Sequence, residues 1–114
     1  MASSQETVDY ILEQLAGAGE VSARKMFGEY GVYCDGKFVA SICDNELFIK
    51  PTKQGHAYTP DQEMGPPYPG AKDQFRINGD QLEDAEWVSE LLRITTAALP
   101  SPKPKKKKTG EPRE

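Results

Sequence analysis

Three residues carry the side chains that nucleophilic or zinc chemistry would need, namely Cys34, Cys43 and His56. A thiol beside an imidazole can act as a nucleophile, and both groups are common zinc ligands. Such catalysis also needs a group that orients the histidine, and structural zinc needs four ligands at recognisable spacing. The sequence marks neither arrangement. We therefore expect a protein that is not an enzyme, without catalytic residues, a cofactor or a metal site.

Two other patterns resemble ligand sites but have simpler explanations. Gly28 and Gly31 lack the glycine and lysine spacing of a phosphate-binding loop, and we expect them to form a turn between strands. Acidic residues crowd the start of the last predicted helix, where they stabilise the helix dipole. They are Asp80, Glu83, Asp84, Glu86 and Glu90.

The candidate interaction patch is the segment from residue 24 to residue 31, which combines two bases with two aromatic rings. This combination is typical of nucleic-acid contacts. In the alternative, which the sequence favours, Met26 and Phe27 join the core and Arg24 and Lys25 are simply solvated. The patch comprises Arg24, Lys25, Met26, Phe27, Gly28, Tyr30 and Gly31.

Charge divides the chain into an acidic part and a basic tail. Residues 1–99 hold eight Lys or Arg and sixteen Asp or Glu, whereas residues 100–114 hold six and two. The tail is rich in proline and lysine and lacks apolar side chains, so we expect it to be disordered. It either binds polyanions weakly, non-specifically and in a salt-sensitive way, or serves as a solubilising tail. The candidate lysines are Lys103, Lys105, Lys106, Lys107 and Lys108.

Composition predicts one globular domain over residues 1–99 of the 114-residue chain, followed by the tail over residues 100–114.

The first residues carry acids and no base before the first apolar stretch, which is the wrong charge for a targeting signal. No apolar run approaches the roughly 20 residues that span a bilayer. We expect a cytoplasmic protein that does not associate with membranes, and an acidic domain is not typical of dedicated DNA binding.

Apolar spacing predicts a first helix over residues 3–16. Ser3 and Glu6 have the spacing of a capping box, and Gly17 would end the helix. One apolar stripe follows the helical period. It consists of Val8, Ile11, Leu12 and Leu15.

A strand-rich block follows the first helix. Asp35-Gly36 and Asp44-Asn45 are two-residue hairpin signals, because these residue types tolerate positive φ. We expect strands over residues 21–27, 32–34, 37–43 and 46–50, with a turn or bulge at residues 28–31.

The two hairpin turns fix a register that pairs Tyr33 with Phe38, Ile42 with Leu47, and Ala40 with Ile49. Simple alternation then places these six side chains on the core face of the sheet. The opposite face would hold Cys34, Lys37, Ser41, Cys43, Glu46 and Lys50, with Val32, Val39 and Phe48. Cys34 lies opposite Lys37 in this register, which does not favour a Cys34–Cys43 disulfide.

The second half of the chain reads as a loop-rich crossing, a strand and a helix. We expect a helical turn over residues 52–58, a rigid and extended stretch over residues 65–70 whose prolines cannot join a strand ladder, and a strand over residues 74–77. An Asn78-Gly79 turn then precedes a helix over residues 84–99 that Asp84 or a nearby acid caps. The pattern predicts an α+β fold. It is a two-layer sandwich, an antiparallel β-meander sheet with the N-terminal and C-terminal helices packed on one face.

Several motifs, in order, resemble the TfoX N-terminal domain family, which is linked with the TfoX/Sxy regulators of natural competence. They are Arg24, Met26-Phe27-Gly28, Tyr30-Gly31, Asp35-Gly36 and Leu47-Phe48-Ile49-Lys50. The segment Pro66–Lys72 and the Trp87 helix are similar to one branch of the family. The full-length regulators carry a second, helical domain where this chain has its tail, so we expect a single-domain member.

The resemblance implies an α+β sandwich and a non-enzymatic role in or near transcriptional control. We expect a regulatory or protein-interaction module whose partner is a protein, for instance part of the transcription machinery, and which is a monomer or weak homodimer. The alternative is a nucleic-acid-associating protein that uses the basic tail. A third reading is a small-ligand-binding domain.

Overall fold

The structure, a computed structural model, describes residues 3–26 and 29–99, apart from the side chain of Met26. Two residues of the candidate interaction patch, Phe27 and Gly28, lie outside the described residues. So do residues 100–114, which include all five candidate tail lysines.

Six strands and four α-helices form the domain. The strands are β1 (Val21–Met26), β2 (Glu29–Cys34), β3 (Lys37–Cys43), β4 (Glu46–Ile49), β5 (Met64–Gly65) and β6 (Gln74–Ile77). The helices are α1 (Gln5–Leu15), α2 (Lys53–Tyr58), α3 (Gly79–Glu83) and α4 (Ala85–Ala98), and a short 3-10 helix (Ala16–Ala18) extends α1. Every strand pair is antiparallel, in the order β1-β2-β3-β4-β6-β5.

The helices cover one face of the sheet, which confirms the predicted two-layer α+β sandwich. Three residues of the predicted α1 stripe, Val8, Ile11 and Leu15, are buried against the sheet. Leu91 and Leu92 of α4 are fully buried in the same cluster. The apolar stripes of two helices therefore close one core, as their 3.6-residue spacing requires.

Both predicted hairpin turns are present. Asp35 and Gly36 have φ values of 52° and 85°, and Asp44 and Asn45 have φ values of 54° and 63°. Positive φ at both central residues characterises the turn that matches the twist of paired strands. The predicted pairs Tyr33–Phe38, Ile42–Leu47 and Ala40–Ile49 are all confirmed, as is Cys34 opposite Lys37.

The predicted assignment of faces is wrong for Tyr33 and Phe38, because β3 contains a β-bulge. Val32 pairs with Ala40 and the next β2 residue, Tyr33, pairs with Phe38, so Val39 has no partner on β2. An extra residue on one strand interrupts alternation, and the side chains beyond it change faces. Ala40 remains in the core, whereas Tyr33 and Phe38 leave it.

The bulge also reverses the prediction for three residues assigned to the opposite face. Val32, Cys34 and Val39 are fully buried in the core under the helices. Lys37 also points to the helix layer, and its Nζ donates to the carbonyl oxygens of Thr96 and Leu99 at 2.7 and 2.9 Å. A cation at the end of α4 satisfies carbonyls that lack intrahelical partners.

The start of α1 also differs from the prediction. Ser4, not Ser3, is the N-cap, and its side chain accepts a hydrogen bond from the Thr7 amide. Ser3 instead donates through both its amide and its hydroxyl to the Glu29 carboxylate, at 2.9 and 2.7 Å. Gly17 does not end the helical segment, because it lies inside the 3-10 helix that follows α1 and ends at Gly19, whose φ is 146°.

The second half contains an unpredicted strand and an unpredicted helix. Met64–Gly65 form β5 beside β6, immediately before the prolines that prevent further pairing. Asn78 does not form a turn with Gly79 but caps α3 through a capping box with Gln81. The predicted helical turn near residue 52, the strand over residues 74–77 and the Asp84 cap of α4 are confirmed.

Candidate functional site

One face of the sheet is covered by none of the described helices, and four side chains form a continuous row across it. We call them the ring row: Arg24, Tyr33, Phe38 and Lys50. The rings of Tyr33 and Phe38 are 5.4 Å apart between centroids. The guanidinium carbon of Arg24 lies 5.1 Å from the Tyr33 centroid, and Lys50 Nζ lies 4.4 Å from the Phe38 centroid. With strands about 4.8 Å apart, the row extends roughly 14 Å from β1 to just beyond β4.

The ring row is partly exposed and carries two positive charges. Tyr33, Phe38 and Lys50 are half-buried, and Arg24 is exposed. Burial lowers the pKa of Lys50. Contact with the negative face of the Phe38 ring opposes this effect, because it stabilises the charged ammonium form. The row therefore offers flat apolar area between two cations, and two of its members, Tyr33 and Arg24, are of types that dominate binding energy at many interfaces.

Strand alternation separates the described members of the candidate interaction patch. Arg24 belongs to the ring row, whereas its neighbour Lys25 pairs with Tyr30 and is exposed at the β1 edge. Tyr30 is 9% exposed and belongs to the core under the helices, and Gly31 is buried within β2. Tyr30 and Gly31 therefore lie in a strand, not in the predicted turn, and the patch does not form one surface.

A cavity of about 990 Å³ lies beside the ring row, between the uncovered sheet face and residues 65–72. Phe38, Phe48, Ser41 and Cys43 from β3 and β4 line its sheet side. The proline-rich segment forms the opposite wall, where Pro67 is buried and Tyr68 is 61% exposed. We call this space the proline-walled cavity.

Charged residues border the proline-walled cavity. Arg76 makes two contacts with the Glu46 carboxylate, at 2.6 and 3.1 Å, and reaches Glu63 at 3.4 Å. Glu29 accepts hydrogen bonds from the Asp44 amide and from Ser3. Burial opposes ionisation of Glu29, but these donors outweigh it and hold its pKa below the ordinary value of 4.5.

One polar group that borders the cavity has no partner. Gln74 lines the proline-walled cavity, and its Oε1 is shielded from solvent yet accepts no hydrogen bond from the described part of the chain. Buried side-chain oxygens are usually satisfied, so an orphan needs an explanation. Because the oxygen is shielded, a molecule in the cavity could reach it only after the Gln74 side chain moved.

The three residues that could have performed nucleophilic or zinc chemistry lie apart. Cys34 is free in the core, with its thiol facing the Ala18 carbonyl oxygen at 3.8 Å. Cys43 is also free but lies on the uncovered face, while His56 in α2 contacts the Phe75 ring edge-on at 4.9 Å between centroids. Burial raises the pKa of both thiols above 9.0, which disfavours the reactive thiolate.

Residues 3–26 and 29–99 contain neither a cluster of metal ligands nor a helix that could span a membrane. No three His, Cys, Asp or Glu side chains in these ranges converge to hold a metal ion. None of their helices has the length and apolar character that crossing a membrane requires.

Sequence reasoning missed both the ring row and the proline-walled cavity. One signal for the row was available, since Phe38-Val39-Ala40 is three consecutive apolar residues and does not alternate. The cavity depends on the return of residues 65–72 over the sheet face. That return is a tertiary contact that no local pattern indicates.

The comparisons with known proteins give a family match and an uncharacterized relative. The family model described as TfoX N-terminal domain matches residues 13–99 of the chain. A relative from Spirochaeta aurantia, an uncharacterized 12.7 kDa protein in the trpE 5' region, is 42% identical over 112 residues. That alignment covers 98% of this chain and 96% of the relative.

Proposed function

Because the chain belongs to the TfoX N-terminal domain family, we propose that it is a non-enzymatic regulatory module that binds a protein partner through the ring row. The family membership supports the regulatory role, in or near transcriptional control as in the TfoX/Sxy competence regulators. A cytoplasmic location is part of the proposal. The single observation that carries the binding mode is the ring row itself.

The ring row has the composition of a protein-binding surface. Half-buried Tyr33 and Phe38 provide rigid apolar area that loses little conformational entropy when a partner covers it. Arg24 and Lys50 stand at its two ends and can pair with carboxylates at the edge of the contact. We therefore expect a partner that presents an apolar side chain flanked by acidic residues.

Charge separation within the domain supports this orientation. The residues of α1, α3 and α4, together with Asp84 between the last two, hold eight carboxylates and one basic residue, Arg93. An acidic partner is repelled by this layer and attracted to the two cations of the ring row on the opposite face. Complementary charge of this kind sets orientation and association rate.

The test compares two single charge reversals in the full chain, Arg24→Glu in the ring row and Lys53→Glu in α2. Both positions are exposed, so neither change should disturb folding. Proteins from the native host are captured on each variant and quantified by mass spectrometry. We expect at least one protein to be retained by wild type and Lys53→Glu and reduced at least about tenfold by Arg24→Glu.

A second candidate function is single-stranded nucleic-acid binding. Two rings on the open face of an antiparallel sheet, flanked by cations, are an arrangement on which unpaired bases stack. The acidic composition of residues 1–99 opposes it, and the predicted tail lysines would be an additional contact.

Fluorescence anisotropy with a labelled single-stranded oligonucleotide separates the possibilities. Loss of binding in Tyr33→Ala would favour stacking on the ring row, and loss only in a chain ending at Leu99 would favour the tail. If the ring row binds a protein partner and not nucleic acid, neither the full chain nor these variants should bind the oligonucleotide at physiological salt.

A further inference from the structure

The outer edge of β1 is the longer of the two edges of the described sheet. β1 (Val21–Met26) has six residues and ends the strand order on one side. The strand at the other edge, β5 (Met64–Gly65), has two residues, and the prolines that follow it have no amide to donate to a further strand. An unpaired edge can pair with a strand from another chain, and β1 is the edge with the length to do so.

Alternate residues of β1 direct their backbone groups away from the sheet. The Asp35 amide donates to the Glu20 carbonyl oxygen at 2.9 Å, so every second residue from Glu20 onward bonds toward β2. Val21, Ala23 and Lys25 therefore present amides and carbonyls to the open edge. No hydrogen bond from the described part of the chain reaches these groups.

The residues of this edge are complementary to themselves. The order Glu20-Val21-Ser22-Ala23-Arg24 is acid, apolar, serine, apolar and base, so the reversed segment sets base against acid. When two copies pair antiparallel about a two-fold axis at Ser22, Glu20 of each copy lies opposite Arg24 of the other. Glu20 and Arg24 are both exposed in the single chain, and neither has an ion-pair partner among the described residues.

We propose that two copies of this chain form a symmetric dimer in which the two β1 strands pair antiparallel about Ser22 and join the two sheets into one. The dimer goes beyond the proposed function and does not depend on it, although Arg24 belongs to both surfaces. Residues directly opposite each other in an antiparallel pair point to the same face. Both helix layers therefore lie on one side of the joined sheet, and both ring rows lie on the other.

The backbone and the apolar side chains fit the same register. With the axis at Ser22, Val21 of each copy lies opposite Ala23 of the other, and these residues carry the outward amides and carbonyls that exchange hydrogen bonds. Their side chains are half-buried at the margin of the core. Pairing covers each of them with an apolar neighbour, which removes further apolar area from water.

Charge disfavours the neighbouring registers. An axis at Arg24 would set two guanidinium groups opposite each other, and an axis at Lys25 would set two ammonium groups opposite each other, which is destabilising. An axis at Val21 or Ala23 leaves Arg24 without an acid opposite it. Basic residues on an edge usually prevent strand addition, but here Glu20 supplies the opposite charge in one register only.

The test is a charge exchange, followed by sedimentation velocity of the full chain at up to about 1 mM. Wild type should show a concentration-dependent dimer. Glu20→Arg and Arg24→Glu each replace two attractive contacts by two repulsive ones, so each should weaken the dimer at least about tenfold. The double variant E20R/R24E restores opposite charges and should dimerise within roughly threefold of wild type.

Asp61→Arg is the matched control for Glu20→Arg, because it makes the same change in net charge at an exposed position between α2 and β5. It should dimerise at least as tightly as wild type, since a lower net negative charge reduces repulsion between copies. Glu20 is not part of the ring row. A monomeric Glu20→Arg that still captures the host protein would separate the dimer contact from the partner surface, and a dimeric wild type that captures none would contradict only the proposed function.

Amide hydrogen exchange measured by NMR identifies the strand. The amides of Val21, Ala23 and Lys25 should exchange at least about tenfold more slowly when the protein is mostly dimeric than when it is dilute. The amides of Ser22 and Arg24, which already bond toward β2, should change less.

Three results would overturn the proposal. They are a wild type that stays monomeric at about 1 mM, a dimer that neither charge reversal weakens, and a dimer whose newly protected amides lie outside β1. Circular dichroism establishes that each variant is folded. A folded double variant that stays monomeric excludes the register centred on Ser22, and if the double variant does not fold, the two single reversals and the exchange pattern decide.

Discussion

The two faces of the sheet differ in how completely their side chains are buried and hydrogen-bonded. On the helix-covered face, Val39, Ala40 and Ile42 of β3 are fully buried, and Lys37 donates to the carbonyl oxygens that end α4. On the uncovered face, the same strand contributes Phe38 and Cys43 to a row of half-buried rings and to an open cavity. The first face contributes mainly to stability, whereas the second retains partly exposed rings and cations.

The largest expected effect is on the helix-covered face. Leu47 is 1% exposed and lies within the core, so Leu47→Ala removes buried methyl groups and leaves a cavity. We expect the free energy of unfolding to fall by about 2–5 kcal/mol. Urea denaturation followed by circular dichroism measures it, and a loss below about 1 kcal/mol would contradict the face assignment.

Glu29 links the two faces, because it borders the cavity on the uncovered face and accepts hydrogen bonds from Ser3 at the start of α1. Glu29→Gln weakens charge-assisted hydrogen bonds, and we expect a loss of about 1–3 kcal/mol at neutral pH. Glu29 has a lower pKa in the folded protein than the ordinary 4.5. Its contribution is therefore complete above the unfolded pKa and is lost as the pH falls through the folded pKa.

Unfolding of wild type and Glu29→Gln across pH 7 to pH 3 checks this dependence. The difference between the two proteins should shrink as the pH falls. A difference that grows toward acid pH would show that the carboxylate is not stabilised by folding.

Phe38 provides the direct contrast with Leu47, since the two apolar side chains lie on opposite faces. Phe38 is only half-buried, so Phe38→Ala should lower the free energy of unfolding by about 1–2 kcal/mol, well below a buried Phe→Ala. The same denaturation experiment measures it. A loss as large as that of Leu47→Ala would return Phe38 to the core and remove the ring row.

The smallest expected effect on stability is at Arg24. Because Arg24 is exposed and its contact with the Tyr33 ring is partly solvated, Arg24→Ala should change the free energy of unfolding by no more than about 0.5–1 kcal/mol. Thermal denaturation checks this value. A greater loss would mean that Arg24 has a structural role and that its charge reversal cannot report on binding alone.

The sequence predicted pairing better than it predicted faces. The turns at Asp35-Gly36 and Asp44-Asn45 demand positive φ, and a two-residue turn dictates which residues pair. Which face a side chain occupies depends in addition on unbroken alternation, and one bulged residue, Val39, defeats that inference. The same local rule therefore gave the correct Tyr33–Phe38 pair and the wrong side of the sheet for it.

The candidate site was less predictable because its parts meet only through tertiary structure. Arg24 and Lys50 are 26 positions apart in the numbering and lie at opposite ends of one row. The prolines of residues 66–69 indicate stiffness, not the direction in which the segment returns over the sheet. The Ser3 contact with Glu29 was missed for the same reason, since a serine beside a helix start is most often a cap.

The bulge at Val39 has a consequence for how this family can vary. Deleting Val39 would restore strict alternation, with Ala40 still in the core and Phe38, now its neighbour, still paired with Tyr33 on the uncovered face. The bulge therefore adds one buried valine under the helices without changing the face that the two rings occupy. Relatives that lack one residue at this point of β3 should accordingly lose core packing and still present the aromatic rings.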